Sequence, residues 1–297
     1  MHILIFGTSG QLGQALHRAL RDASHKVTQL DRAGADFAKP ETLPAIIKQV
    51  RPDAVIIAAA FTGVDKAEEE KALAQLVNAA APEQIAHACR EQHIPLVHIS
   101  TDFVFDGKAD TPYTEDHPTN PLGVYGRSKL AGEQAIIDSG CRHAIVRTSW
   151  VFSEYGANFV KTMLRFAKTR DELSVVADQI GQPTCAHDLA STCIKLAEDL
   201  VATSQKPSGI YHYSGAGSVS WADFARAIFD QAGLATKVID IPSSDYPTPA
   251  KRPAFSVMNC TKIATDYAII APDWRPALAL VVTALGPNRS AHEGDRT

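Results

Sequence analysis

Tyr125 and Lys129 stand four positions apart in the run Tyr125-Gly126-Arg127-Ser128-Lys129. On a helix that spacing puts a phenol and an ammonium on one face. A free phenol titrates near pH 10 and is a poor acid–base group at neutral pH, but a neighbouring cation stabilises the phenolate and lowers that value. The pair is therefore expected to make Tyr125 a proton donor to a developing alkoxide. Ser100-Thr101-Asp102 follows the apolar run Leu96 to Ile99, which places the Thr101 hydroxyl at the carboxyl end of a strand, where it can hydrogen-bond a carbonyl oxygen. Thr101, Tyr125 and Lys129 form the expected catalytic trio. The plain alternative for a lone Tyr-x-x-x-Lys is a solvated helix face, and the motifs that accompany it decide between the two.

Gly7, Gly10 and Gly13 supply the strongest of those motifs, because they lie between an apolar run, His2 to Phe6, and a helical pattern with Leu12, Leu16 and Leu20 on one side. A chain that turns sharply from strand to helix presents backbone N–H groups to a pyrophosphate. Asp31, at the end of the second expected strand, is placed to accept the ribose hydroxyls of NAD. Arg32 beside it suits the extra phosphate of NADP. The two neighbours pull in different directions, so NADPH and NADH both remain open; a surface Asp-Arg pair with no ligand is the bland alternative.

These groups need a scaffold that brings strand ends together. Short apolar runs at His2 to Phe6, Lys26 to Leu30, Ala54 to Ala58, Leu96 to Ile99 and His143 to Arg147 alternate with helical patterns at Gln11 to Arg21, Pro44 to Val50, Lys66 to Glu91 (interrupted by Pro82) and Gly126 to Asp138. Repeated βα alternation with strands apolar throughout predicts an α/β fold, a doubly wound parallel sheet of the Rossmann type. Its ligand crevice lies beyond the carboxyl ends of the strands. Residues 1–150 read as the dinucleotide-binding domain. Residues 151–285 read mostly as a smaller C-terminal substrate-binding lobe with the chain crossing back, and 286–297 as a polar tail that frays.

Composition narrows the classes further. The 297 residues are 45% hydrophobic and 21% charged, enough for a core without metals or disulfides. A formal charge of -4 offers no positive field for nucleic acid. Five scattered cysteines with no metal-ligand spacing read as reduced thiols of a cytoplasmic protein, and neither a secretory leader nor a membrane span is expected.

At these residues the chain resembles the dTDP-4-dehydrorhamnose reductase family of extended short-chain dehydrogenases/reductases. The resemblance runs from Ile3 to about Trp274 through GTSGQLG (Gly7 to Gly13), DF (Asp36-Phe37), AAAFTGVDKAEE (Ala58 to Glu69), STDFVFDG (Ser100 to Gly107) and NPLGVYGRSKLAGE (Asn120 to Glu133). RTSWVF (Arg147 to Phe152), NFVKTML (Asn158 to Leu164), DQIGQPT (Asp178 to Thr184) and YPTPAKRP (Tyr246 to Pro253) continue it. It implies hydride transfer from NAD(P)H to the C4 carbonyl of a nucleotide-linked sugar, with Thr101, Tyr125 and Lys129 catalytic. Gly10, Gln11 and Leu12 would line the pyrophosphate, Asp36 and Phe37 the adenine, and Ala58, Ala60, Phe61 and Thr62 the cofactor further along. Asp102, Trp150 and Asn158 would face the sugar nucleotide. Arg252 would neutralise its pyrophosphate, unless it is an ordinary surface arginine. Family members that dimerise around magnesium use a glutamate where this chain has Ala15, and acidic residues near His187-Asp188. A metal-bridged homodimer is thus disfavoured and no metal ligand is assigned. A dehydratase is disfavoured because Asp102 is followed by Phe103; an epimerase and a non-catalytic subunit like the regulatory chain of methionine adenosyltransferase are the remaining rivals.

Overall fold

The structure, a computed structural model, describes residues 1–21 and 23–286, so the tail expected to fray lies, past Gly286, outside the described residues. Five strands, β1 (His2–Phe6), β2 (Lys26–Leu30), β3 (Ala54–Ile57), β4 (Leu96–Thr101) and β5 (His143–Thr148), join a sixth, Gly209–His212, in one sheet. From one edge the order is Gly209–His212, β5, β4, β3, β1, β2, and every pairing is parallel. The expected doubly wound sheet is therefore the observed one. Its order reverses at β1, between β2 and β3, and that switch point is where an open parallel sheet leaves a crevice.

The strands are apolar throughout because helices cover both faces. Along β1, Ile3 and Ile5 join a cluster with Leu16 of helix α1 (Gln11–Leu20), whereas Leu4 and Phe6 join the opposite one with Ile47 of α2 (Leu43–Val50). The stretch expected as one helix broken at Pro82 is three. Helix α3 (Val64–Glu69) ends at Glu70, α4 (Lys71–Gln75) follows, and a wide π-type turn at Leu76–Ala80 leads into α5 (Ala81–Glu91). Pro82 thus sits in the first turn of α5, not at the break. A proline has no N–H to give to the carbonyl four residues back and its ring crowds that carbonyl, and the widened turn just before it accommodates both effects. The backbone carbonyl of Asn78 in that turn lies so close to α6 (Val124–Asp138) that a Cβ on Gly132 would come within 2.1 Å of it.

Past β5 the chain builds a separate apolar cluster from Phe152, Val160 of α7 (Phe159–Phe166), Phe224 and Ile228 of α9 (Trp221–Ala232), and Trp274 and Leu278 of the last described helix (Trp274–Leu285). A parallel pair, Glu172–Val176 with Lys237–Ile241, flanks it. Between these pieces α8 (Ala186–Ala202) returns to pack Leu189, Leu196 and Leu200 against α1, and Gly209–His212 adds to the sheet edge beside β5. Among the described residues no helix is long and apolar enough to cross a membrane.

Candidate active site

The strand ends and the second lobe enclose a cleft of about 870 Å³. It is lined by Gly7, Gly10, Gln11 and Leu12, by Asp31, Arg32, Asp36 and Phe37, by Ala58, Ala60, Phe61 and Thr62, and by Thr101, Asp102, Tyr125, Lys129, Trp150 and Asn158. Two of the expected site residues are elsewhere. Gly13 lies under the loop: a Cβ there would fall 2.3 Å from the Gly7 carbonyl oxygen, so its part is to let α1 pack onto the turn. Arg252 does not line the cleft; it donates to the Asp65 carboxylate at 2.7 Å and to the Ala250 carbonyl at 3.0 Å.

The glycine turn fits a dinucleotide. Gly7 holds φ 102°, and a Cβ on it would meet the Ala59 backbone nitrogen at 2.7 Å. Gly10 caps α1 without a side-chain cap and has open space where its Cβ would be, so the free N–H groups of the first turn face the cleft. That is the arrangement an anionic pyrophosphate requires. Along the same cleft, Asp31 accepts from the Gly34 N–H and Arg32 sits 3.6 Å from Asp36. Phe37 is 5% exposed and meets Phe6 edge to face, so it is largely a core side chain with an edge on the cleft.

Three contacts from the chain past β5 hold the glycine loop. Gln11 accepts from Ser153 and from Asn158 and donates to the Val151 carbonyl. Asn158 also caps α7, accepting from the Lys161 N–H, so most of its polar capacity is spent on structure. Trp150 adopts φ 46°, rare for a bulky residue. Its ring stacks on Trp221 with centroids 3.5 Å apart, and a Cβ on Gly181 would approach that ring to 2.5 Å.

The catalytic candidates converge. Tyr125 rests edge to face on Phe103, and its ring is partly accessible to the cleft while the hydroxyl end is buried. Burial pushes its phenol up to about 12; a hydrogen bond with Thr101 pulls it down and the Asp102 charge pushes it up. The lowering expected from Lys129 does not appear: desolvation dominates, and the groups that act on the phenol are Thr101 and Asp102. Lys129 is 1% exposed, and burial brings its ammonium down to about 8 against the opposing pull of Glu133. Thr101 donates to Asp102 at 3.0 Å and accepts from the Phe103 N–H.

Asp102 is pushed up to about 6, first by burial, with hydrogen bonds from Ser256 and Thr101 working the other way. Its folded value thus lies above the ordinary carboxylate value of about 4, so between the two the folded chain binds more protons than the unfolded one. Stability contributed by the protonated acid is lost as pH rises through that window. Asp102→Asn should flatten this fall, gaining more in denaturant midpoint over the wild type near pH 8 than near pH 4. An equal offset at both would show that another group carries the dependence.

Several groups escaped sequence reasoning. Asn78 accepts from the Phe61 N–H and donates to the Phe61 carbonyl and to Ser128, so one buried amide fixes both the cofactor-side loop and α6. Glu133 forms a buried pair with Arg147, Nη2 to Oε2 at 2.6 Å, and accepts from Ser100. Thr148 lines the cleft with a buried hydroxyl that has no partner among the described residues. A polar residue inside an apolar run, as at His98, was the available signal for such groups.

Fold and cleft together define a nicotinamide-dinucleotide oxidoreductase of the extended short-chain dehydrogenase/reductase class. The family described as RmlD substrate binding domain matches residues 1–286. A dTDP-4-dehydrorhamnose reductase of Shigella flexneri is 42% identical over 295 residues, covering 96% of this chain and 98% of that one. The Aggregatibacter actinomycetemcomitans reductase is 44% identical, covering 93% and 96%. Among solved structures, a dTDP-4-dehydrorhamnose reductase of Clostridium acetobutylicum superposes with TM-score 0.91 at 37% identity, covering 96% of this chain and 99% of that one. The Bacillus anthracis reductase in complex with NADP gives 0.89 at 36%, covering 95% and 99%. The chain belongs to the dTDP-4-dehydrorhamnose reductase family.

Proposed function

We propose that the chain reduces the C4 keto group of dTDP-4-dehydro-L-rhamnose to give dTDP-L-rhamnose, using NADPH or NADH. The convergence of Thr101, Tyr125 and Lys129 in one cleft with the glycine turn carries this reading. The nicotinamide dinucleotide supplies the hydride. Thr101 turns its hydroxyl from Asp102 to the carbonyl oxygen, and Tyr125 passes its phenolic proton to that oxygen as it becomes an alkoxide. A phenol held near 12 is fully protonated at neutral pH and is still a stronger acid than the alcohol being formed, so it can donate to the developing alkoxide. The Lys129 ammonium stabilises the phenolate left behind. Trp150, braced by Trp221, forms an apolar wall for the sugar.

Arg252 serves this reading as a clamp on the substrate's pyrophosphate, exchanging Asp65 for phosphate; guanidinium matches both anions. Arg252→Met should then raise KM for the sugar nucleotide about tenfold with kcat little changed, as loss of uniform binding does. Asp65→Asn, which frees the guanidinium, should not raise it. Equal increases in both would mean that the ion pair only ties the loop to α3.

Ala15 is fully buried between α1 and α8, and His187 contacts Glu154 at 2.9 Å, so a homodimer of this chain would form without a magnesium ion at that place. The five cysteines are free thiols, four of them buried, which suits the reducing cytoplasm. The deciding assay is loss of nicotinamide absorbance with purified protein, NADPH or NADH, and dTDP-4-dehydro-L-rhamnose generated in situ. Formation of dTDP-L-rhamnose supports the reading, and no turnover with bound NADPH refutes it.

A further inference from the structure

Lys129 has a partner behind it that the proton-transfer scheme does not use. His98 lies on β4, three positions before Thr101, with no exposed surface, and its Nε2 is 3.1 Å from the Lys129 ammonium. The contact follows from register. Alternate residues of a strand, and residues four apart on a helix, each recur on one face at similar spacing. His98 and Ser100 on β4 thus face Lys129 and Glu133 on α6, one pair each.

The chemistry of the pair is set by its surroundings. Around it lie Glu133 and Tyr125 on α6, His143 and Arg147 on β5, and Asp102 beside Tyr125. Burial, then the Lys129 charge and His143, hold the His98 imidazole well below its usual range, so it is neutral. A neutral ring facing an ammonium must accept, which puts its proton on Nδ1, and Nδ1 has no partner among the described residues. An ammonium has three N–H donors, so a bond to His98 leaves two for the cleft.

We infer that His98 is a positioning residue for the reduction, accepting a hydrogen bond from Lys129 that fixes where its charge sits and keeps it charged. The inference rests on the proposed role of Lys129. A bond to the charged form favours that form. Its loss should move the Lys129 titration to lower pH and carry the alkaline limb of turnover with it.

The test compares wild type, His98→Leu and His98→Gln, whose amide oxygen reaches about as far as Nε2. Two readouts are taken: the Lys129 Nζ titration by nitrogen-15 NMR, assigned with Lys129→Arg, and the pH profile of kcat/KM for NADPH-driven reduction. In the leucine variant both should shift about one pH unit toward acid, a tenfold change in acid dissociation constant. The glutamine variant should restore both. An unmoved Lys129 titration in the leucine variant overturns the inference on its own. A titration that moves while the turnover limb stays overturns it together with the role given to Lys129. If the leucine variant does not fold, His98→Asn, whose amide falls short of Lys129, takes its place against glutamine, and identical titrations in the two amides overturn the inference.

Discussion

Tyr125→Phe should lower kcat for the sugar-nucleotide reduction by roughly a hundred- to ten-thousand-fold, the usual contribution of a positioned general acid. The substitution removes one oxygen and keeps the ring that rests on Phe103 at a centroid distance of 5.5 Å. Packing is thereby preserved, so NADPH affinity and the denaturant midpoint should stay near wild type. Because the tyrosine gives its proton only as the alkoxide forms, the loss belongs to the transition state and should appear equally in kcat and kcat/KM. A variant that keeps more than about a tenth of the wild-type kcat would place the donor elsewhere. Asp102 would be the next candidate, since it is buried beside Thr101 with a carboxyl oxygen that has no partner among the described residues.

Glu133→Ala should destabilise the chain by about 3–5 kcal/mol, as expected when one partner of a buried ion pair is removed and the other charge stays behind. Arg147 and Glu133 are 2% and 1% exposed, and the guanidinium makes three hydrogen bonds to the carboxylate. Stacking of Arg147 over Phe105, 5.1 Å from the ring centroid, cannot substitute for that anion. The urea midpoint reads the effect. The double replacement Glu133→Met with Arg147→Met should recover most of the loss, because apolar side chains of similar volume carry no desolvation cost. A single variant as stable as the wild type would mean that water reaches Arg147. The pair also aligns β4 with α6, since Glu133 accepts from Ser100 next to Thr101. A moderate fall in kcat should therefore accompany the loss of stability.

The amino-acid sequence by itself determined the sheet, the glycine turn and the identity of the residues at the strand ends. These depend on local chemistry: apolar runs of strand length, a turn that only glycine permits at Gly7, and a four-residue spacing from Tyr125 to Lys129 that is helical. The strand limits differ by up to two residues from the runs read in the sequence, as at Ala54–Ile57 and Leu96–Thr101. Pro82 shows where local rules stop. A proline signals a break, but whether the chain breaks or widens depends on the helix beside it, here α6 with Gly132 against the Asn78 carbonyl.

Only the tertiary structure decided how the named residues are used. Arg252 and Asp65 are 187 positions apart, Gln11 and Asn158 147, and no periodicity links such pairs. Asn158 is engaged in capping α7 and Arg252 in an ion pair, which a motif cannot show. The protonation of Tyr125, Lys129 and Asp102 was likewise beyond the sequence. A neighbouring cation has a sign that spacing can supply, whereas desolvation depends on every element that closes over the group, and in this cleft burial is the larger effect for all three.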